Sequence, residues 1–197
     1  MKIQPLYLFV VLVLVGITSA FLFLSVSYFL TTYGTSFNNF KLPVVFHANT
    51  VIILFSGYSM MQTQKAALWD DWNGYKNGLL VTSFLGLAFT LFQFVGWQQL
   101  MDQKVLLTNN VAAAYLYVIS GLHIIHLLVG IGLLFWFLYE AWNTETDQVK
   151  LLLLETNPMW KTRMKSLALY WNFVDILWLY LYIFFVVNIY LLTKVNL

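Results

Sequence analysis

The 197-residue chain contains no cysteine, and its charged residues make up only 9% of the total. Without cysteine there are no disulfides, no thiolate metal sites, no iron–sulfur clusters and no CxxCH haem attachment. So few charges cannot cover a water-facing surface, for which about a quarter charged is usual. The net charge of +2 is too small for a nucleic-acid partner, whose binding relies on clustered cations. There are only three histidines and three prolines. What is abundant is apolar: 61% hydrophobic residues, with aromatics at 19%. The composition is that of an integral membrane protein.

Five apolar segments are long enough to cross a bilayer, at about residues 4–31, 43–69, 76–101, 110–142 and 164–193. None alternates with the two-residue period of a barrel strand, so the expected fold is an all-α bundle of five transmembrane helices forming one domain. The N-terminal run continues from Gln4 to beyond Ala20, too far for a signal peptide, and is taken as the first span. Tyr33 to Asn39 is turn-rich, Asp70 to Gly74 is a polar hairpin, and Leu151 to Leu154 is too short to span. With the N-terminus cytoplasmic, seven of the ten lysines and arginines fall inside, which predicts an N-in, C-out (periplasmic) orientation.

The polar residues inside these spans are the candidates for chemistry. Asp175 sits roughly 15 Å along its helix from Lys165, near mid-bilayer, where a charge costs on the order of 3 kcal/mol. It is read as a proton relay, an ion-site ligand or a structural anchor, with Asn172 and Trp178 as hydrogen-bond donors on the same face. His123 and His126, three apart, share a helix face and are read either as metal or haem ligands or as packing residues. His47 is the one further histidine able to join them. Asn49, Thr50, Ser56 and Gly57 are small or polar residues of the kind that hold membrane helices together, and Gln93 is expected to hydrogen-bond between helices.

Taken in order, Asn49-Thr50, Ser56-Gly57, Gln93, Gly121-Leu-His-x-x-His126, Gly130 and Tyr170-Trp-x-Phe-Val-Asp175-x-x-Trp178 resemble subunit III of the haem–copper oxidases, in its shorter, five-helix bacterial form. The resemblance runs from Gly16 onward. It implies an accessory subunit, not catalytic alone, of a cytochrome c or quinol oxidase in a bacterial inner membrane. Haem and copper would lie in catalytic subunit I and in subunit II, with phospholipid bound in a helix cleft, proton uptake supported, and a respiratory supercomplex as wider context. It also implies that His123, His126, Trp171, Asp175 and Trp178 are structural or subunit-contacting. The chain departs from the family at Ala20 and Gly96, where glutamates are common, and at Asn172, where histidine is common. These losses weaken a proton-relay role for Asp175.

Other readings are a homologous accessory subunit of a nitric oxide reductase, a haem-b membrane anchor using His47 with His123 or His126, and a small transporter built on Asp175. Three histidines are too few to ligate a haem–copper core, so oxygen chemistry requires partners.

Overall fold

The computed structural model describes residues 4–32, 42–108, 111–145 and 157–195. They form five helices: α1 (Pro5–Thr32), α2 (Val44–Leu68), α3 (Trp72–Asp102), α4 (Val111–Glu145) and α5 (Pro158–Val195). All five are long and apolar enough to span a membrane. The expected turn at Tyr33 to Asn39 and the apolar patch at Leu151 to Leu154 lie outside the described residues.

Helix ends follow local chemistry. Pro43 precedes the first turn of α2, where its missing N–H costs nothing. Beyond α2, Asp70 takes a left-handed conformation (φ 59°), and the Asp71 N–H donates to the Ala66 carbonyl at 3.0 Å. Lys104 repeats the arrangement after α3 (φ 59°), with the Val105 N–H on the Leu100 carbonyl at 3.1 Å. Both are Schellman endings, which satisfy carbonyls that the helix leaves open. Asp71 then caps α3, its carboxylate accepting from the Gly74 N–H at 3.0 Å. The α2–α3 connection is therefore only Trp69-Asp70-Asp71.

The fifth helix starts at Pro158, six residues before the expected Met164. The polar stretch Lys161-Thr-Arg163 suggests a loop, but it forms the first turns of a helix that extends past the hydrocarbon. At 38 residues α5 is about 57 Å long, against a core of about 30 Å. Its projecting start is fixed to its neighbours. Both Arg163 nitrogens approach the two Glu140 oxygens of α4 at 3.2 Å, a bidentate pair. The same guanidinium lies 5.2 Å from the Phe137 ring centre. Lys161 meets Asp70 at 3.5 Å, and Trp160 packs with Trp72 and Tyr75.

α5 is the hub of the bundle. It packs against α1, α2 and α4, while α2 pairs with α3 and α3 with α4. Small residues set the closest approach: a methyl group on Gly78 of α3 would lie 2.1 Å from the Thr63 hydroxyl of α2.

Asp71→Ala removes the α3 cap and is expected to lower stability by about 1 kcal/mol, whereas Asp71→Asn retains most of it. Thermal unfolding of the detergent-purified chain measures this, and equal loss in both variants would show that capping is not what Asp71 contributes.

Candidate functional site

On α5, Trp171, Asp175 and Trp178 occur at i, i+4 and i+7, so the helical repeat lines them up on one face. That face meets α2, α3 and α4 together, and all three side chains are buried.

Trp171 is fully buried between two glycines. A methyl on Gly86 of α3 would fall 2.7 Å from the indole, and one on Gly130 of α4 would fall 3.0 Å from another edge of the same ring. Only a hydrogen at both positions lets the ring slot between the backbones. The indole N–H donates to the Ser56 hydroxyl of α2 at 2.9 Å. One side chain thus contacts three other helices. Beside it, the Tyr170 hydroxyl donates to the His126 carbonyl at 2.8 Å, a further α4–α5 link.

Trp178, two turns on, organises an aromatic cluster. It stacks on Phe46 (centroids 6.0 Å apart, planes at 11°) and meets Phe89 edge-on at 4.9 Å. The His123 ring lies 5.2 Å from it and 5.8 Å from Phe89. The Trp178 N–H donates to the Thr50 hydroxyl at 3.3 Å. Phe46 itself fits against Gly96, where a methyl would come within 2.9 Å of the ring. Gly96 is one of the positions at which the resembling family commonly carries glutamate; here an aromatic ring occupies the space that such a side chain needs.

Asp175 lies between the two tryptophans and presses on Gly57 of α2, where a methyl would be 2.9 Å from its carboxyl oxygen. The expected hydrogen bonds to Asp175 are not present. Among the described residues neither carboxyl oxygen has a partner, although Asn172 faces the same glycine. Trp178 is drawn to Thr50 instead, and Asn172 and Asp175 both reach across to α2 rather than to each other. Asp175 is therefore seated by close packing on a glycine, not by hydrogen bonds within the described chain.

The histidines occupy three separate environments. His123 is fully buried, facing α3 and α5. His126 turns toward α1, its ring edge-on to Phe21 at 5.7 Å, and its Nδ1 donates to the Leu122 carbonyl of its own helix at 2.7 Å. Residues three apart are offset by about 60° around a helix, enough to send the two rings to different neighbours when helices pack on both sides. His47 is exposed and pairs through Nδ1 with the Tyr182 hydroxyl of α5. Gln93 joins helices as expected, accepting from the Asn49 amide at 3.0 Å. Sequence reasoning passed over Gly86 and the Glu140–Arg163 pair. A glycine opposite a tryptophan leaves no periodic signal, and the ion pair spans two helices.

Gly57→Val forces a branched side chain into the Asp175 carboxyl and is expected to cost about 1–3 kcal/mol. Adding Asp175→Ala to it should recover part of that loss. If the double variant is no more stable to heat than Gly57→Val alone, the two residues are not packed as described.

The family model for cytochrome c oxidase subunit III matches residues 7–190. The cytochrome c oxidase subunit 3 of Spodoptera frugiperda is 26% identical over 149 residues, 76% of this chain and 90% of that relative. Those of Drosophila yakuba (28% over 148 residues) and Homo sapiens (25% over 149 residues) match 75% and 76% of this chain. The matched region spans about half the length of these two, 50% and 51%. With nearly the whole chain matched and the α5 face assembled from the residues that carried the resemblance, the chain belongs to the cytochrome c oxidase subunit III family and is an accessory, multi-pass membrane subunit.

Proposed function

We propose that this chain serves a respiratory haem–copper oxidase without redox centres of its own, packing against catalytic subunit I, with subunit II in the same complex. The observation that carries this reading is the use made of the histidines. His123 is packed among rings, His126 is bonded to its own helix, and His47 is bonded to Tyr182. Neither ring nitrogen of His123 has a partner among the described residues, but the three rings face different neighbours and do not converge on one site, which supports oxygen chemistry in partner subunits, where haem and copper would reside.

The proposal includes phospholipid bound between α1, α4 and α5. A cavity of about 280 Å³ there is walled by Leu6, Val10, Leu133, Trp136 and Tyr170, with Arg163 at its rim. Its apolar wall suits an acyl chain, with the Arg163–Glu140 pair at the polar end where a headgroup would lie. Support for proton uptake would be indirect, through the lipid and the subunit contact. Ala20 lies exposed on α1 and Gly96 is filled by Phe46, so neither position supplies a carboxylate to accompany Asp175. We further propose a bacterial inner membrane, with the N-terminal side of α1 cytoplasmic on the strength of the lysine and arginine asymmetry.

On this reading the chain co-purifies with a larger haem-bearing subunit, and the separated chain has no haem absorbance. Asp175→Leu loosens its retention severalfold in the purified complex while initial turnover in complexes that keep it stays near wild type. An absorption band that stays with the separated chain and disappears in His123→Ala overturns the proposal; so does Asp175→Leu that assembles fully yet takes up no protons.

A further inference from the structure

Buried hydroxyls in these helices are satisfied, most of them by their own backbone. Ser25, Thr63, Ser83, Thr90, Ser120 and Thr144 each donate to the carbonyl four residues back. Ser166 of α5 breaks the habit. Among the described residues it is the one serine or threonine whose buried hydroxyl has no hydrogen-bond partner. A hydroxyl shut away from water in that state is unfavourable unless something else completes it.

Ser166 lies in the wall of the cavity of about 280 Å³ between α1, α4 and α5. Along α5 that wall is graded. Arg163 stands at one end, and Ser166 follows about 4.5 Å further along the helix. Tyr170 comes about 10 Å from Arg163, but its hydroxyl is already given to the His126 carbonyl. Leu6, Val10, Leu133 and Trp136 make the remainder apolar. A charged end, one open hydroxyl and an apolar wall follow the order of headgroup, ester and acyl chain in a glycerophospholipid.

The charged end selects among headgroups. Both Arg163 nitrogens are held by the Glu140 carboxylate at 3.2 Å, so this end is a dipole rather than a free cation. Lys161 is matched by Asp70. Lys165 is exposed about 200° around α5 from Arg163, off the cavity wall. An anionic headgroup reaches Arg163 only by displacing Glu140 and leaving that carboxylate beside a phosphate. A zwitterionic headgroup completes both, its phosphate meeting Arg163 and its ammonium meeting Glu140.

We propose that the α1–α4–α5 cavity holds a zwitterionic, ammonium-bearing phospholipid, with the Ser166 hydroxyl donating to an ester carbonyl of its glycerol. This rests on the reading of the cavity as a phospholipid site, and adds which phospholipid it takes and which residue sets its depth.

The test uses the native chain in its purified complex, reconstituted into nanodiscs of phosphatidylethanolamine and phosphatidylglycerol in equal parts. One of the two lipids at a time carries a photoactivatable diazirine on an acyl chain, and labelled residues are located by mass spectrometry. Leu133, Trp136 and Tyr170 should be labelled severalfold more by the ethanolamine lipid. Phe23 and Ile183, exposed on α1 and α5 away from the cavity, should be labelled alike by both. Ser166→Ala should lower cavity labelling by about fivefold, the worth of one hydrogen bond. Glu140→Gln, which frees the Arg163 charge, should reverse the preference toward phosphatidylglycerol. Circular dichroism and retention in the complex check that both variants fold. Equal labelling of the cavity by the two lipids, or more by phosphatidylglycerol, overturns the headgroup assignment while leaving a lipid site. Cavity residues labelled no more than Phe23 and Ile183 by either lipid would overturn the lipid reading as well. Undiminished labelling in Ser166→Ala removes the hydroxyl from the site, and an unchanged preference in Glu140→Gln shows that the ion pair does not choose the headgroup.

Discussion

In a bilayer, apolar side chains gain nothing by leaving lipid for one another, so helices hold together where backbones come close and hydrogen bonds cross between them. Trp171 meets both requirements at once. Its indole fits between Gly86 and Gly130 and reaches Ser56, so α2, α3 and α4 are all spaced by one ring on α5. The remaining contacts of that face follow from this spacing. With the helices so placed, Trp178 finds Phe46, Phe89, His123 and Thr50 within reach, and Asp175 comes down on Gly57.

This arrangement changes what an intramembrane aspartate means. A lone carboxyl near mid-bilayer suggests either a charge relay or a hydrogen-bonded tether. Here it is held by shape, against the one residue type that leaves room for it. Asp175 marks the α2–α5 crossing as a place where the two backbones approach within a side chain's thickness.

Much of this was legible in the residues alone. Apolar length placed five spans, and the pattern around Asp175 pointed to the right family and face of α5. Gln93 was legible as an interhelical bond because a carboxamide inside an apolar run has few other uses. The start of α5 was obscured because Lys161 and Arg163 read as loop until their partners, Asp70 and Glu140, are known from distant parts of the chain. The partners of Trp178 and Asp175 were misjudged for a related reason. Spacing along one helix shows which side chains share a face, but neighbouring helices decide which of them a donor prefers. Thr50 took the N–H that Asp175 was expected to receive.

The helix order has a consequence for how the chain is made. Among the described residues α1 packs only on α4 and α5, whereas α2 and α3 are joined by three residues and lie side by side. During synthesis the second and third spans can pair as soon as both have entered the membrane. Within the described residues α1 gains its first neighbour with α4 and its second with α5, so its contacts inside the bundle form only after the α2–α3 pair has been made.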